Sequence, residues 1–245
     1  MARMREATEG LQGGRAATME TLTQIEPALD TAALLARVHV APDSEDAAAF
    51  TALIDQARAV ARPKALYAEA FVEGRGDNTV RIGGVTFTSR TLRRKLDSVE
   101  RVFPYVATCG HEMDGVALPA GDILVQYWWD AIKAELLAAA RAQLLAHATD
   151  RFRLGQTARM SPGSGDVETW PIEQQRLLFS LLGGVTPYIG VILTESCLMI
   201  PNKTVSGILF PTQEDFQTCQ VCHRDPCPNR RAPFDAAVWQ SLRET

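Results

Sequence analysis

The stretch from Gly121 to Thr149, GDILVQYWWDAIKAELLAAARAQLLAHAT, decides the fold class. Ile123, Tyr127, Ala131, Leu136, Ala140, Leu144 and Ala148 recur at spacings of four or five, which lays an apolar stripe along one long helix. Alanine and leucine dominate its second half, so propensity agrees with period. The adjacent Trp128-Trp129 reads as core packing. Working outward, Val102–Thr108 is an apolar strand that runs into a loop at Cys109-Gly110. Ala65–Glu73 and Val80–Thr88 read as strands, the second divided by a turn at Gly83-Gly84. Ser44 before Glu45 and Asp46 starts a helix that ends at Pro63, and Thr91–Leu96 is a short helix. Downstream, Phe152–Ala158 reads as a strand, Pro171 opens a helix that Gly183-Gly184 ends, and Tyr188–Thr194 and Thr204–Phe210 read as strands. These elements are mixed without the regular alternation of parallel βαβ units. The expectation is α+β, with a mostly antiparallel twisted sheet flanked by helices.

The 245 residues are 46% hydrophobic and 22% charged, enough to build a core without disulfides. A formal net charge of −4 argues against a general nucleic-acid binder, which needs a basic face to displace counterions. No run approaches the roughly 20 apolar residues of a membrane span. There is no apolar signal-peptide core at the N-terminus, so a cytoplasmic location is expected. Residues 1–20 are polar and read as a mobile tail. Residues 21–212 are expected to form the main domain, and 213–245 a C-terminal cysteine segment.

Cys219, Cys222 and Cys227 form a C-x2-C-x4-C pattern followed at once by Pro228. Thiolates at this spacing can turn toward one ion. With five cysteines in all, the clustering predicts a metal centre. Candidates for a fourth ligand are Cys109, His223, Cys197 and His111. Cys109 is preferred, because it ends a strand beside Gly110. All-cysteine ligation suits zinc or an iron–sulfur cluster, and the Cys-Pro ending favours [4Fe–4S].

Two loops carry further chemistry. Arg159-Met160-Ser161-Pro162-Gly163-Ser164-Gly165-Asp166 lies between a strand and a helix, where proline and glycines open the backbone to a ligand. The arginine at its start can grip a carboxylate through two parallel hydrogen bonds. Taken alone, it is also what an ordinary polar connection looks like. Thr194-Glu195-Ser196 begins a second segment that passes Pro201 and reaches Val205-Ser206-Gly207. Alone, it reads as a β-hairpin with a long loop. There is no phosphate loop, dinucleotide fingerprint or nucleophile elbow.

Together the two segments resemble the activation domain of cobalamin-dependent methionine synthase. That family has Arg-x-x-Pro-Gly-Tyr in its S-adenosylmethionine site and a later Thr-Glu-Ser stretch leading through proline to Val-Ser-Gly. Arg159, Pro162 and Gly163, then Thr194-Glu195-Ser196, Pro201 and Val205-Ser206-Gly207, match in order and separation over roughly residues 100–212. Ser164 departs from the family's tyrosine and changes one wall of the ligand site. The folate, homocysteine and cobalamin modules are absent, so the chain resembles stand-alone relatives. Some of these end in a cysteine cluster followed by Arg-Arg-Ala-Pro-Phe, as at Arg230–Phe234.

The resemblance implies an activation-domain-like fold and a ligand site at Arg159, Ser161, Pro162, Gly163, Ser164 and Glu195. It implies reductive reactivation: an electron returns cob(II)alamin to cob(I)alamin, and the methyl group of S-adenosylmethionine traps the reduced state. The cobalamin belongs to a partner, either a corrinoid protein or a methionine synthase lacking its own activation domain. A cysteine-held cluster can relay the electron. The alternative is a non-catalytic docking subunit with structural zinc.

Overall fold

The computed structural model describes residues 19–165, 168–227 and 230–243. The expected tail at 1–18, and Asp166 and Pro228 within the two motifs, lie outside the described residues. Met19 and Glu20 belong to a strand, β1 (Met19–Leu22). There follow α1 (Thr31–Arg37), α2 (Glu45–Val60), β2 (Lys64–Ala68), β3 (Ala70–Arg75), β4 (Thr79–Ile82), β5 (Val85–Thr88), α3 (Arg90–Lys95) and β6 (Arg101–Thr108). After a 3-10 turn at His111–Gly115 come α4 (Ile123–Phe152) and β7 (Thr157–Met160). A 3-10 turn at Ile172–Gln174 leads into α5 (Gln175–Leu182), α6 (Val185–Ile189), β8 (Ile192–Leu193), β9 (Met199–Ile200) and β10 (Thr204–Pro211). The C-terminal segment has a 3-10 turn at Thr218–Val221 and α7 (Ala236–Ser241).

Every ladder is antiparallel, as expected for an α+β fold. β6 is the centre: β2 and β3 pair with it successively, and β10 pairs with it on the other side and carries β7. Both faces of β6 are covered, which explains why its sequence is apolar throughout rather than alternating. Tyr105, Phe103 and Ala107 pack against Ala140, Leu144 and Ala148 of α4. Val106 on the opposite face packs with Leu182, Val185 and Ile189 of α5 and α6. Alanines on the buried stripe of α4 let the helix lie close to the sheet, and each buried leucine there stabilises by about 1.5–3 kcal/mol. Trp128 and Trp129 are buried against Phe50 and Met113, as core residues.

Ser44 caps α2 through Ala47 N, and Gly83-Gly84 turns β4 into β5 with both glycines at positive φ. Three strand expectations need correction. The single strand expected over Ala65–Glu73 is interrupted at Glu69 and forms β2 and β3. Phe152 closes α4, and Arg153 ends that helix in the left-handed region, so the strand begins only at Thr157. Tyr188 lies in α6, because Pro187 fits the first turn of a helix and Gly190 caps it with φ 72°; only Ile192–Leu193 remains extended. The C-terminal segment shares the main core: Phe216, Val221 and Leu242 pack with Met160, Trp170, Ile208 and Phe210. No helix among the described residues is long and apolar enough to cross a membrane.

Candidate ligand site and cysteine segment

β7 separates two environments by simple alternation. Ala158 and Met160 point into the apolar cluster around Trp170 and Phe210. Arg159 therefore points to the α4 side, where its cross-strand partner Leu209 packs with Ala140 and Leu144. Burial and the like charges of Arg141 and Arg231 hold the Arg159 guanidinium below its ordinary pKa, while Tyr105 opposes them.

The loop after β7 is tied at its base. Gly163 N donates to Trp170 O at 2.9 Å, and Ser164 N donates to Ser161 O at 3.1 Å. Gly163 adopts φ 73° and Gly165 φ 101°, which side chains other than glycine rarely tolerate. Pro162 is buried; Ser161 and Ser164 are half-buried. Arg159, Ser161, Pro162, Gly163 and Ser164 are thus contiguous at the end of one edge strand.

Glu195 comes from a different segment. It lies exposed in the β8–β9 turn, which closes through Thr194 N to Leu198 O at 2.8 Å. α5 holds this turn: Gln175 Nε2 donates to Cys197 O at 3.3 Å and Arg176 donates to Glu195 O. No described hydrogen bond or ion pair joins the Glu195 carboxylate to the Arg159 loop. The residues that sequence reasoning left out are Tyr105 and Arg141. Tyr105 reads as one more residue of an apolar strand and Arg141 as a solvated helix charge; neither carries a local signal.

The cysteine segment folds around Arg230. Its guanidinium donates to Cys219 O at 3.1 Å, Cys222 O at 3.2 Å, Ala232 O at 3.3 Å and also to Arg224 O. Arg231 N donates to Cys219 Sγ at 3.5 Å. Burial opposes ionisation of Cys219, but backbone N–H groups of Arg231 and Ala232 and the Arg231 charge outweigh it and lower its pKa. Cys222 is buried, and Cys219 and Cys227 are half-buried. His223 packs its ring on Phe234 and Trp239 at 4.5 Å each.

Cys109 is placed differently. It is fully buried in the cluster of Phe50, Met113 and Trp128, whereas Val221 of the cysteine segment belongs to the cluster of Met160 and Trp170. Burial pushes its thiol up to about 12. Such a neutral, apolar setting suits a packing residue and opposes the thiolate a metal needs. Among the described residues, no three His, Cys, Asp or Glu side chains are gathered into a group able to hold a metal ion.

No protein-family model and no curated protein sequence matches the chain. Among solved structures, it is similar to the crystal structure of the MetH reactivation domain bound to AdoHcy. The TM-score is 0.52 at 15% identity, over 82% of this chain and 81% of that chain. The two share a fold of helices on an antiparallel sheet.

Proposed function

We propose that the chain is a reactivation component for a corrinoid methyltransferase, such as a cobalamin-dependent methionine synthase lacking its own activation domain, and that it holds S-adenosylmethionine beside β7. The supporting observation is the placement of Arg159, Ser161, Pro162 and Gly163 on one edge of a fold shared with a domain solved bound to AdoHcy. In this reading Arg159 grips the ligand carboxylate and the open backbone at Gly163 approaches the ligand closely. Ser164 lines the wall, and Glu195 contributes from the β8–β9 turn held by α5. Cys219, Cys222 and Cys227 would hold a metal centre only after their side chains close on one ion, since they are not gathered as they stand; the N–H donor on Cys219 Sγ and the lowered Cys219 pKa favour the thiolate this needs. When bound, S-adenosylmethionine supplies a methyl group and an iron–sulfur centre supplies one electron.

A titration with S-adenosylmethionine and AdoHcy tests the reading. Arg159→Ala is expected to weaken binding by about 1.5–3 kcal/mol. An unaltered titration removes Arg159 from the site. Failure of both the wild type and Ser164→Tyr to bind removes the S-adenosylmethionine reading. The partner is tested with corrinoid proteins in the cob(II)alamin and methylcobalamin forms. Tighter binding of the former, with affinity on the order of micromolar, is expected of a reactivator.

Ser164 in place of the family's tyrosine favours a second reading, a docking subunit with structural zinc. Anaerobic purification separates the two. Iron with visible absorption that dithionite bleaches supports the first; a colourless zinc protein supports the second.

A further inference from the structure

The backbone of the cysteine segment pairs two thiols and leaves the third apart. Thr218–Val221 is a 3-10 turn, and Cys222 follows it directly. Cys222 N donates to Cys219 O at 3.4 Å, the bond that closes one such turn. Side chains three residues apart on a 3-10 turn eclipse one another, so Cys219 and Cys222 stand on one side of it. A turn closed in this way holds its end Cα atoms less than about 7 Å apart. A disulfide spans Cα atoms about 4.4–6.8 Å apart. Cys227 stands outside this turn, and its carbonyl accepts from Arg230 N. Among the described residues the three thiols do not gather into a group able to hold one ion. Two-thiol chemistry fits the turn as it stands, whereas three-thiol ligation requires further closure.

One guanidinium holds the turn. Arg230 Nη1 donates to Cys219 O at 3.1 Å and Arg230 Nη2 donates to Cys222 O at 3.2 Å, so both ends of the C-x2-C unit sit on one planar fork. A fixed separation of this kind speeds a ring-closing step between the two sulfurs, because little orientational freedom is left to lose. The two thiols differ in access. Cys219 is half-buried and Cys222 is buried. Arg231 N donates to Cys219 Sγ at 3.5 Å. A donor on that sulfur favours the thiolate, which is the form that attacks a disulfide. The outer sulfur is therefore placed to meet a substrate, and the inner one to finish the reaction.

We propose that Cys219 and Cys222 form a thiol–disulfide exchange pair whose substrate is a low-molecular-weight disulfide. Cys219 Sγ attacks one substrate sulfur. The substrate S–S bond breaks, a mixed disulfide forms, and the released thiolate takes a proton from solvent. Cys222 loses its proton to solvent and attacks Cys219 Sγ. The mixed disulfide breaks, the Cys219–Cys222 bond forms, and the second substrate thiolate leaves and is protonated. Two cysteine thiols are oxidised, and one substrate disulfide is reduced to two thiols. This chemistry goes beyond the S-adenosylmethionine reading. It consumes two thiolates that the metal centre would use, so oxidation and metal loading exclude each other.

The test follows the full chain, reduced and treated with a chelator, during incubation with oxidised glutathione. Peptide mass mapping is expected to find a Cys219–Cys222 cross-link, two hydrogens lighter than the dithiol, with both glutathione thiols released. Cys222→Ser is expected to stop at a glutathione adduct on Cys219. Cys219→Ser is expected to gain an adduct on Cys222 about tenfold more slowly than the wild type forms its cross-link, because Cys222 is buried. A wild-type chain that stops at the adduct, closes on Cys227 or does not react overturns the proposal. An adduct on Cys222 of Cys219→Ser at the wild-type rate overturns it too. A cross-link in a chain that binds neither iron nor zinc when reduced leaves this pair standing and removes the metal centre. Metal binding without any cross-link after chelation leaves the metal centre standing and removes the pair.

Discussion

Cys109 and Cys219 place the same thiol in opposite surroundings. Cys109 closes β6 inside a cluster of Phe50, Met113 and Trp128, and burial pushes it up to about 12. Cys219 sits in a half-buried loop, receives an N–H from Arg231, and titrates below its ordinary value. Residue type at a strand end therefore says little about reactivity. What decides it is whether donors or hydrocarbon face the sulfur.

The largest expected effect comes from dismantling one side of this contrast. Arg230→Ala removes donors to four backbone carbonyls around Cys219 and Cys222. Hydrogen exchange in residues 218–227 is expected to accelerate by about a hundredfold, equivalent to about 2.7 kcal/mol. Amides of β6 are expected to keep their protection. Equal acceleration in both would show that the segment and the core unfold as one unit. Next comes a matched pair. Cys109→Ser buries a hydroxyl in hydrocarbon and is expected to cost about 1–3 kcal/mol in denaturant unfolding. Cys219→Ser in metal-free protein is expected to cost less than about 1 kcal/mol. The same cost for both would erase the distinction.

The pH effects are the smallest near neutrality and grow only toward alkali. Alkylation of Cys219 is expected to remain appreciable below the ordinary thiol range, while Cys109 reacts only after unfolding. In the stability profile the signs differ. The folded pKa of Cys219 is lowered, so its contribution is present above the unfolded value and is lost as pH falls through the lowered one. The folded pKa of Cys109 is raised, so its contribution is complete below the ordinary value of 9.0 and is lost as pH rises toward about 12. A stability profile that falls less steeply in alkali for Cys109→Ser than for the wild type is the expected readout, the remaining fall coming from the buried Tyr67 and Tyr105, whose pKa values are also raised.

Most of the frame was legible because it is written locally. Apolar recurrence gave α4, Gly83-Gly84 gave the β4–β5 turn, and Ser44 gave the start of α2. The short pieces were not. Met19–Leu22 is a strand only because β2 lies beside it, and apolar Tyr188 was read as strand although Gly184 and Gly190 bracket one turn of helix. The arginine of the ligand loop was visible in its motif. Its neighbours Tyr105 and Arg141 come from a different strand and from the long helix, so only the pairing of β6, β10 and β7 and the packing of α4 on that sheet bring them near. Gly207 was visible as part of a motif, but its reason is steric and appears only with Ser161 and Tyr105 around it.

β7 has four residues, pairs with β10 alone among the described strands, and meets Pro211, which offers no N–H, at one end of the ladder. Arg159 thus rides on a strand held by a single short ladder, whereas β6 is gripped on both sides. A strand so tethered opens by local fluctuation long before the sheet comes apart. Entry and departure of anything held there can then run on the clock of a fraying edge, independent of the slow clock that governs loss of the fold.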